Sequence, residues 1–408
     1  MNDDVRRPRT QNSDEEENKK PSAENLEAPH TYKAEEGFAA AGANHKMKMK
    51  KKRTPKLFSF KHATRKQQLI GGVVAAVLII GGGGGVYALS KSMNKSTPNV
   101  ATPVVQKVAE PPKPTTEASK LTGEQISPEL NKRQVTGIMI ENSPDARPQS
   151  GLKDAGVVYE AIAEGGITRF LCLFQEAQPD YIGPVRSVRP YYVDFLLPYD
   201  ASIVHAGGSA DGLAKVRNTN AKDIDHGANG DAFQRVSDRY APHNLYTSMA
   251  KLDQVSSKRG FTNSDVKSLP RKKEQTGQPV TARTIDLAIS SALYNAHYDY
   301  DPAANNYKRS EGGKPHTDQR SGQQLSPKVV VALSMSYSQS GIYSVYQTTG
   351  SGKMFVFQDG TVQTGTWTKA GERDQFEFKD DAGKPLALNP GQTWISIVKT
   401  PGSVTYAP

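Results

Sequence analysis

Hydrophobic and polar positions divide the chain into four regimes. Residues 1–45 show no apolar period and are rich in Asp, Glu, Asn, Lys and Pro, which predicts a disordered tail. From Leu69 to Leu89 the run LIGGVVAAVLIIGGGGGVYAL contains no charge and has the roughly 20 residues a helix needs to cross a bilayer core. Residues 90–119 are dominated by Pro, Thr, Ser and Lys and read as an extended stalk. Near Leu121 a strand-and-helix grammar begins and runs to the end of the chain.

Within that folded part, Arg133–Asn142 (RQVTGIMIEN), Val157–Glu164 and Thr168–Gln175 read as strands, with Gly165-Gly166 turning the last two into a hairpin. A two-residue turn there places Ile162 opposite Arg169, with Glu160 and Glu164 as its diagonal neighbours on one face. In GPVRSVRPYYVDFLLPYD, Ser187 suits a helix N-cap, and Tyr191–Leu197 continues as a short helix with Arg186 and Arg189 beside its start. The next segment repeats the pattern. Ala201–His205 is strand-like, Gly207-Gly208 turns the chain and Ser209 caps a helix carrying Asp211. In DRYAPHNLYTS, Arg239, His243 and Asn244 sit in a loop that opens a helix at Thr247 or Ser248. Residues 256–279 read as a basic connection. From Val280 the alternation predicts a small antiparallel sheet or barrel. The expected architecture is α+β: one transmembrane helix, a mixed α/β domain over 120–255 and a mainly antiparallel β domain over 280–408.

Charge changes this picture in one respect. The formal excess of ten positive charges is accounted for by the ten Lys or Arg between Lys46 and Lys66, where no Asp or Glu occurs. A basic juxtamembrane segment at 46–68, before the apolar run at 69–89, orients the tail to the cytoplasm and the C-terminal domains outside the cell. The remainder is near neutrality and carries no basic footprint for nucleic acid. Cys172 is the single cysteine, which excludes an intramolecular disulfide framework. It lies amid Phe170, Leu171, Leu173 and Phe174, where a thiol behaves as a core hydrophobe.

The candidate chemistry rests on polar residues at strand ends and turns. Glu160 and Glu164, on one face of a strand, pose as an acid/base pair with His205 or His243, in the manner of a hydrolase or transferase. Arg169 between them would keep both ionised. The preferred reading is therefore an anion site built from Arg186 and Arg189 with Arg147, Arg169 or Arg239, and with His205 and His243 as polar partners. His205 falls at the C-terminal end of a strand, the customary place for site residues in open α/β sheets. His226 and His316 also lie beside polar residues, yet no His-x-x-x-His pair exists, and no metal or cofactor is expected. Ser209, His243 and Asp211 could be assembled into a triad, but no Gly-x-Ser-x-Gly elbow supports one. A structural role in an envelope protein complex is the remaining alternative.

In order along the chain, ARPQSGL, VVYEAIAEGGITRF, IGPVRSVRP, HAGGS and RYAPHNLYTS resemble the YerB-like family of bacterial exported or lipid-anchored proteins. YDYDPAANNYKRSEGGKPHTD, GSGKMFVFQDGTV and LNPGQTWISIV resemble that family's C-terminal domain. The resemblance spans about Val135 to Val398 and implies two domains of mixed α and β structure outside the membrane. It implies no particular reaction and no catalytic residues. The chain departs from the family in its anchor, since a Lys-rich flank and a spanning segment stand where a lipoprotein signal is usual. The ligand expected from these readings is an anionic cell-envelope component, bound by a single-pass membrane protein.

Overall fold

A computed structural model describes residues 115–408. The expected tail, basic segment, spanning helix and most of the stalk lie outside the described residues. Among the described residues no helix is long and apolar enough to cross a membrane. The five last residues of the expected stalk already belong to the fold, because Glu117–Ala118 pairs with Gln125–Ile126.

The N-terminal half contributes β1 (Thr136–Glu141), β2 (Val157–Glu164), β3 (Ile167–Phe174), β4 (Ser202–His205) and β5 (Lys222–Asp225). Helices α1 (Pro190–Leu196), α2 (Ala210–Asn218) and α3 (Met249–Lys258) are interleaved with them or follow. The C-terminal half begins with β6 (Thr284–Leu287), β7 (Ala296–Asp301), β8 (Asn306–Glu311) and β9 (Lys314–Pro315). It continues with β10 (Val329–Ser334), β11 (Tyr337–Ser340), β12 (Tyr343–Tyr346) and β13 (Gly350–Gln358). It ends with β14 (Thr361–Lys369), β15 (Glu377–Asp380), β16 (Thr393–Val398) and β17 (Val404–Ala407).

One twelve-stranded sheet joins the two halves in the order β15-β14-β13-β10-β16-β2-β3-β1-β4-β5, with the β11–β12 hairpin attached to β2 where Tyr343 faces Glu164. β10, β16, β2, β1, β4 and β5 all run in the same direction. Only β3 opposes them between β2 and β1. The second sheet, β9-β8-β7-β6-β17, is wholly antiparallel. The expectation of a mainly antiparallel C-terminal region therefore holds for this sheet and for β13–β15, but not for β10 and β16. Their sequences, VVVALS and TWISIV, are apolar without alternation and buried almost throughout. Such strands belong inside a sheet covered on both faces, and parallel pairing is their usual outcome. By contrast β7 and β8 alternate buried and accessible positions, as half-buried antiparallel strands do.

Two apolar clusters cover the sheet. One gathers Tyr159, Leu171 and Leu173 with Tyr192 and Phe195 of α1, and the other gathers Ile138, Phe170 and Cys172 with Met249 and Leu252 of α3 and Trp394. The connection after α3 is tied to both halves. Arg271 donates to the carbonyls of Leu121 (2.6 Å) and Asn389 (2.9 Å) and to Thr393 Oγ1 (3.0 Å).

Helix starts follow the sequence unevenly. Ser209 and Ser248 cap α2 and α3, accepting from Gly212 N (3.1 Å) and Lys251 N (3.4 Å). Ser209→Ala should cost about 1 kcal/mol, read as a shift of the urea midpoint at unchanged slope. Ser187 is not a cap. The helix starts three residues later, after an extended Arg189, and Ser187 Oγ donates instead to the Ala206 carbonyl at 2.9 Å.

The hairpin register also differs from expectation. Glu164 pairs with Ile167 as a two-residue turn requires, but Ala163 is bulged out, so Ala161 rather than Ile162 faces Arg169. A one-residue shift moves side chains to the other face of a sheet. The bulge leaves backbone groups without ladder partners, and tyrosines satisfy them. Ile162 N donates to Tyr346 Oη (3.2 Å), while the hydroxyls of Tyr191 and Tyr192 donate to the carbonyls of Ile162 (2.7 Å) and Ala161 (2.9 Å).

Candidate functional site

The C-terminal ends of β1, β2 and β4 meet at one edge of the sheet, where the loop carrying Arg186 and Arg189 crosses. Glu141 on β1 stands directly opposite Arg169 on β3. Arg169 donates to Glu164 Oε1 (2.7 Å) and to the Ser187 carbonyl (2.6 Å). Arg189 reaches Glu164 Oε2 from Nε (3.0 Å) and Nη2 (2.7 Å), donates to the Val188 carbonyl (2.7 Å) and stacks over Tyr343. Burial opposes charge on Glu164, yet the two guanidiniums hold its carboxyl below its ordinary value. Arg186 is bound more loosely. Its Nε lies 3.2 Å from Glu141 Oε2 without hydrogen-bond alignment, and its Nη atoms have no acceptor among the described residues. Burial, despite the neighbouring Glu141, lowers the pKa of Arg186, and Arg169 adds to the effect. Three arginines here face Glu141 and Glu164 at a partly buried edge of the sheet, with the exposed Asp145 4.0 Å from His243 Nε2.

The carboxylate pair read from the sequence does not form. The bulge places Glu164 on the Arg169 face and Glu160 on the opposite face. There Glu160 is fully buried and accepts from Arg309, from Trp394 Nε1 (3.1 Å) and from Ser396 Oγ (3.3 Å). His243 does join the edge: its Nδ1 lies 2.9 Å from Glu141 Oε1 and 3.2 Å from Ser143 Oγ. Both contacts fall on the same ring nitrogen. A hydroxyl and a carboxylate on opposite nitrogens are what relay catalysis uses, so this trio holds the ring rather than passing a proton through it.

The remaining expected residues are placed elsewhere. His205 ends β4 as predicted but is fully buried, with Nε2 3.0 Å from Asp223 Oδ1 and Nδ1 2.8 Å from the Gly207 carbonyl. It therefore orders the Gly207-Gly208 turn and offers nothing to a ligand. Arg239 is spent on the carbonyls of Ala146 (2.6 Å) and Pro148 (2.7 Å). Arg147 turns towards the C-terminal half, where its Nε lies 3.4 Å from Glu311 Oε2 and its guanidinium packs over Tyr294. Ser209 is a helix cap, and no contact joins it to His243. Cys172 is fully buried, and burial pushes its thiol pKa well up.

Sequence reading missed a buried polar network between the sheets. Arg309 on β8 donates from Nη2 to both oxygens of Glu160 (3.1 Å each) and to Glu311 Oε1 (3.3 Å), and from Nε to His316 Nδ1 (3.1 Å). Its ring neighbours are Tyr298 and Trp394, the latter 4.5 Å away. Burial opposes the charge on Arg309, but Glu160 raises its pKa above the ordinary value. The available signal was the spacing Tyr307, Arg309, Glu311 in NYKRSE, which puts two charges on the buried, tyrosine-bearing face of a strand. Among the described residues no group of three or more His, Cys, Asp or Glu is arranged to hold a metal ion.

The profile of the "Protein of unknown function (DUF3048) N-terminal domain" matches residues 121–262, and that of the corresponding C-terminal domain matches 285–395. A Bacillus subtilis (strain 168) relative named "Putative lipoprotein YerB" is 33% identical over 296 residues, 68% of this chain and 85% of the relative. The crystal structure of the YerB protein from Bacillus subtilis matches with a TM-score of 0.65 and 28% identity, covering 72% of this chain and 100% of that one. Two matching domains in order, a shared fold and a third of the residues in common make this chain a member of the YerB-like DUF3048 family.

Proposed function

We propose that the protein binds an anionic ligand at the C-terminal edge of its sheet, with Arg186 as the anchor and Arg169 and Arg189 as fixed neighbouring charge. The observation that carries this reading is the Arg186 guanidinium, whose Nη atoms have no acceptor among the described residues, beside Arg169 and Arg189 at the partly buried edge of the sheet. A planar fork in that state suits a carboxylate or phosphate. The protein would act outside the cell, tethered by the apolar run at 69–89, and would take its ligand from the cell envelope. The relative named as a lipoprotein supports the same placement by a different anchor.

Thermal unfolding of the full-length chain in mild detergent, with and without inorganic phosphate or pyrophosphate, tests the reading. A ligand at a hundred times its dissociation constant adds about 2.7 kcal/mol of stability. Arg186→Ala should fold normally and lose that gain, while Arg239→Lys, outside the cleft, should keep it. No rise in the wild-type midpoint with either anion would remove the anion site.

A further inference from the structure

Beside the Arg309 network lies a cavity of about 460 Å³ between the loop at 144–148 and the turn that follows β8. Its size is that of a pocket for a small molecule. Pro144, Pro148, Leu293 and Pro315 give it apolar walls, and Glu311 and Lys314 supply polar groups. The Glu311 side chain is 2% exposed. Its Oε1 is well served, accepting from Asn142 Nδ2 (2.6 Å) and Arg309 Nη2 (3.3 Å). Its Oε2 accepts no hydrogen bond. Arg147 Nε is near at 3.4 Å but donates to Asn142 Oδ1 (3.1 Å) instead. His316 lies 3.6 Å from the same oxygen and cannot help. Burial, with Arg309 and Arg147 nearby, keeps its imidazole neutral, and its Nδ1 is already the acceptor for Arg309. A buried polar atom left without a partner costs on the order of 1–3 kcal/mol, and a ligand hydroxyl that supplies the partner recovers it.

Charge narrows the class of ligand. Arg147, Arg309 and Lys314 surround Glu311 and Glu160, three cations to two carboxylates, so an incoming ammonium is disfavoured. A neutral hydroxyl or amide donor is not. Lys314 stands on the rim with no carboxylate partner among the described residues and can donate to an adjacent ligand oxygen. We propose that this cavity is a second binding site, for a neutral hydroxyl-rich ligand of carbohydrate type whose hydroxyl hydrogen-bonds Glu311 Oε2 while a neighbouring oxygen accepts from Lys314. The proline and leucine walls cover the C–H faces of such a ring. None of the arginines of the anion cleft takes part.

Isothermal titration of the full-length chain in mild detergent with N-acetylglucosamine and with its β-1,4-linked tetramer tests the proposal. Binding of the monosaccharide identifies a free sugar site, and binding of the tetramer alone identifies a glycan-chain site; both support it. Glu311→Gln should weaken binding at least tenfold, Lys314→Ala should weaken it several-fold, and Arg186→Ala should leave it unchanged. Because Lys314 is exposed, its variant tests the same pocket without touching the buried network. The proposal is overturned if neither probe binds the wild type, or if Lys314→Ala binds as well as the wild type. Loss of binding in Arg186→Ala would also overturn it, by moving the sugar to the other cleft.

Discussion

Arg309→Ala is expected to destabilise the folded chain by about 3–5 kcal/mol, read from the guanidinium midpoint. The side chain is fully buried, and its removal strands the Glu160 carboxylate, also fully buried, against Trp394 and Ser396. Part of the loss is the void left under the Tyr298 and Trp394 rings. Arg309→Met/Glu160→Gln separates the two contributions. It removes both charges, keeps volume near that of the original pair, and leaves an acceptor for Trp394 Nε1. Most of the lost stability should return in this double variant, because a buried ion pair gains little over a neutral pair of similar shape once its desolvation is counted. A double variant as unstable as Arg309→Ala would mean that the charges themselves, rather than the unpaired carboxylate, hold the two sheets together.

The second large effect is a pH dependence with an unusual sign for a carboxyl group. Burial raises Glu311 to about 7, and Glu160 adds to the rise, although Arg309 and Arg147 oppose it. The native state therefore binds a proton that the unfolded chain, with its ordinary pKa of 4.5, has released. Its contribution is fully present below pH 4.5 and is lost as pH rises through about 7. At 1.36 kcal/mol per unit, the loss is on the order of 3 kcal/mol. The charges facing Glu311 from the packed elements are Arg309 on its own strand, Glu160 on β2 and Arg147 from the 144–148 loop, with neutral His316 beside them. Glu164, held below its ordinary value by Arg169 and Arg189, works in the opposite direction but at more acid pH. Stability measured by urea unfolding should fall between about pH 4.5 and 7 in the wild type. Glu311→Gln should flatten that fall and be the more stable protein at pH 8. An unchanged slope in the variant would assign the dependence to another group.

Much of this clustering was legible from residue types alone. Arg169, Arg186, Arg189, Glu164 and His243 do collect at the C-terminal edge of one sheet. Parallel strands point their loops the same way, and each of these residues is next to a turn signal. Their roles were not legible. Arg239 and Arg147 carry the same guanidinium as Arg186 yet are consumed by backbone carbonyls and by the Asn142 side chain. His205 was placed correctly and is nonetheless walled in by Asp223 and the Gly207 carbonyl.

The sequence by itself determined β1 to β4, though not β5, together with the Gly165-Gly166 turn, the caps at Ser209 and Ser248 and the core role of Cys172. Each depends on neighbours within a few positions: alternation, turn chemistry, a capping hydroxyl, an apolar run. Tertiary structure alone decided three things. It set the bulge at Ala163, because the hydroxyls that satisfy its backbone come from Tyr191 and Tyr346, far along the chain. It joined the two halves in one sheet, because β16 found its parallel partner in β2. It paired Arg309 with Glu160 across 149 residues, which no local period encodes. Desolvation makes such a pairing obligatory once both side chains are buried, and only the packed fold determines which charges those will be.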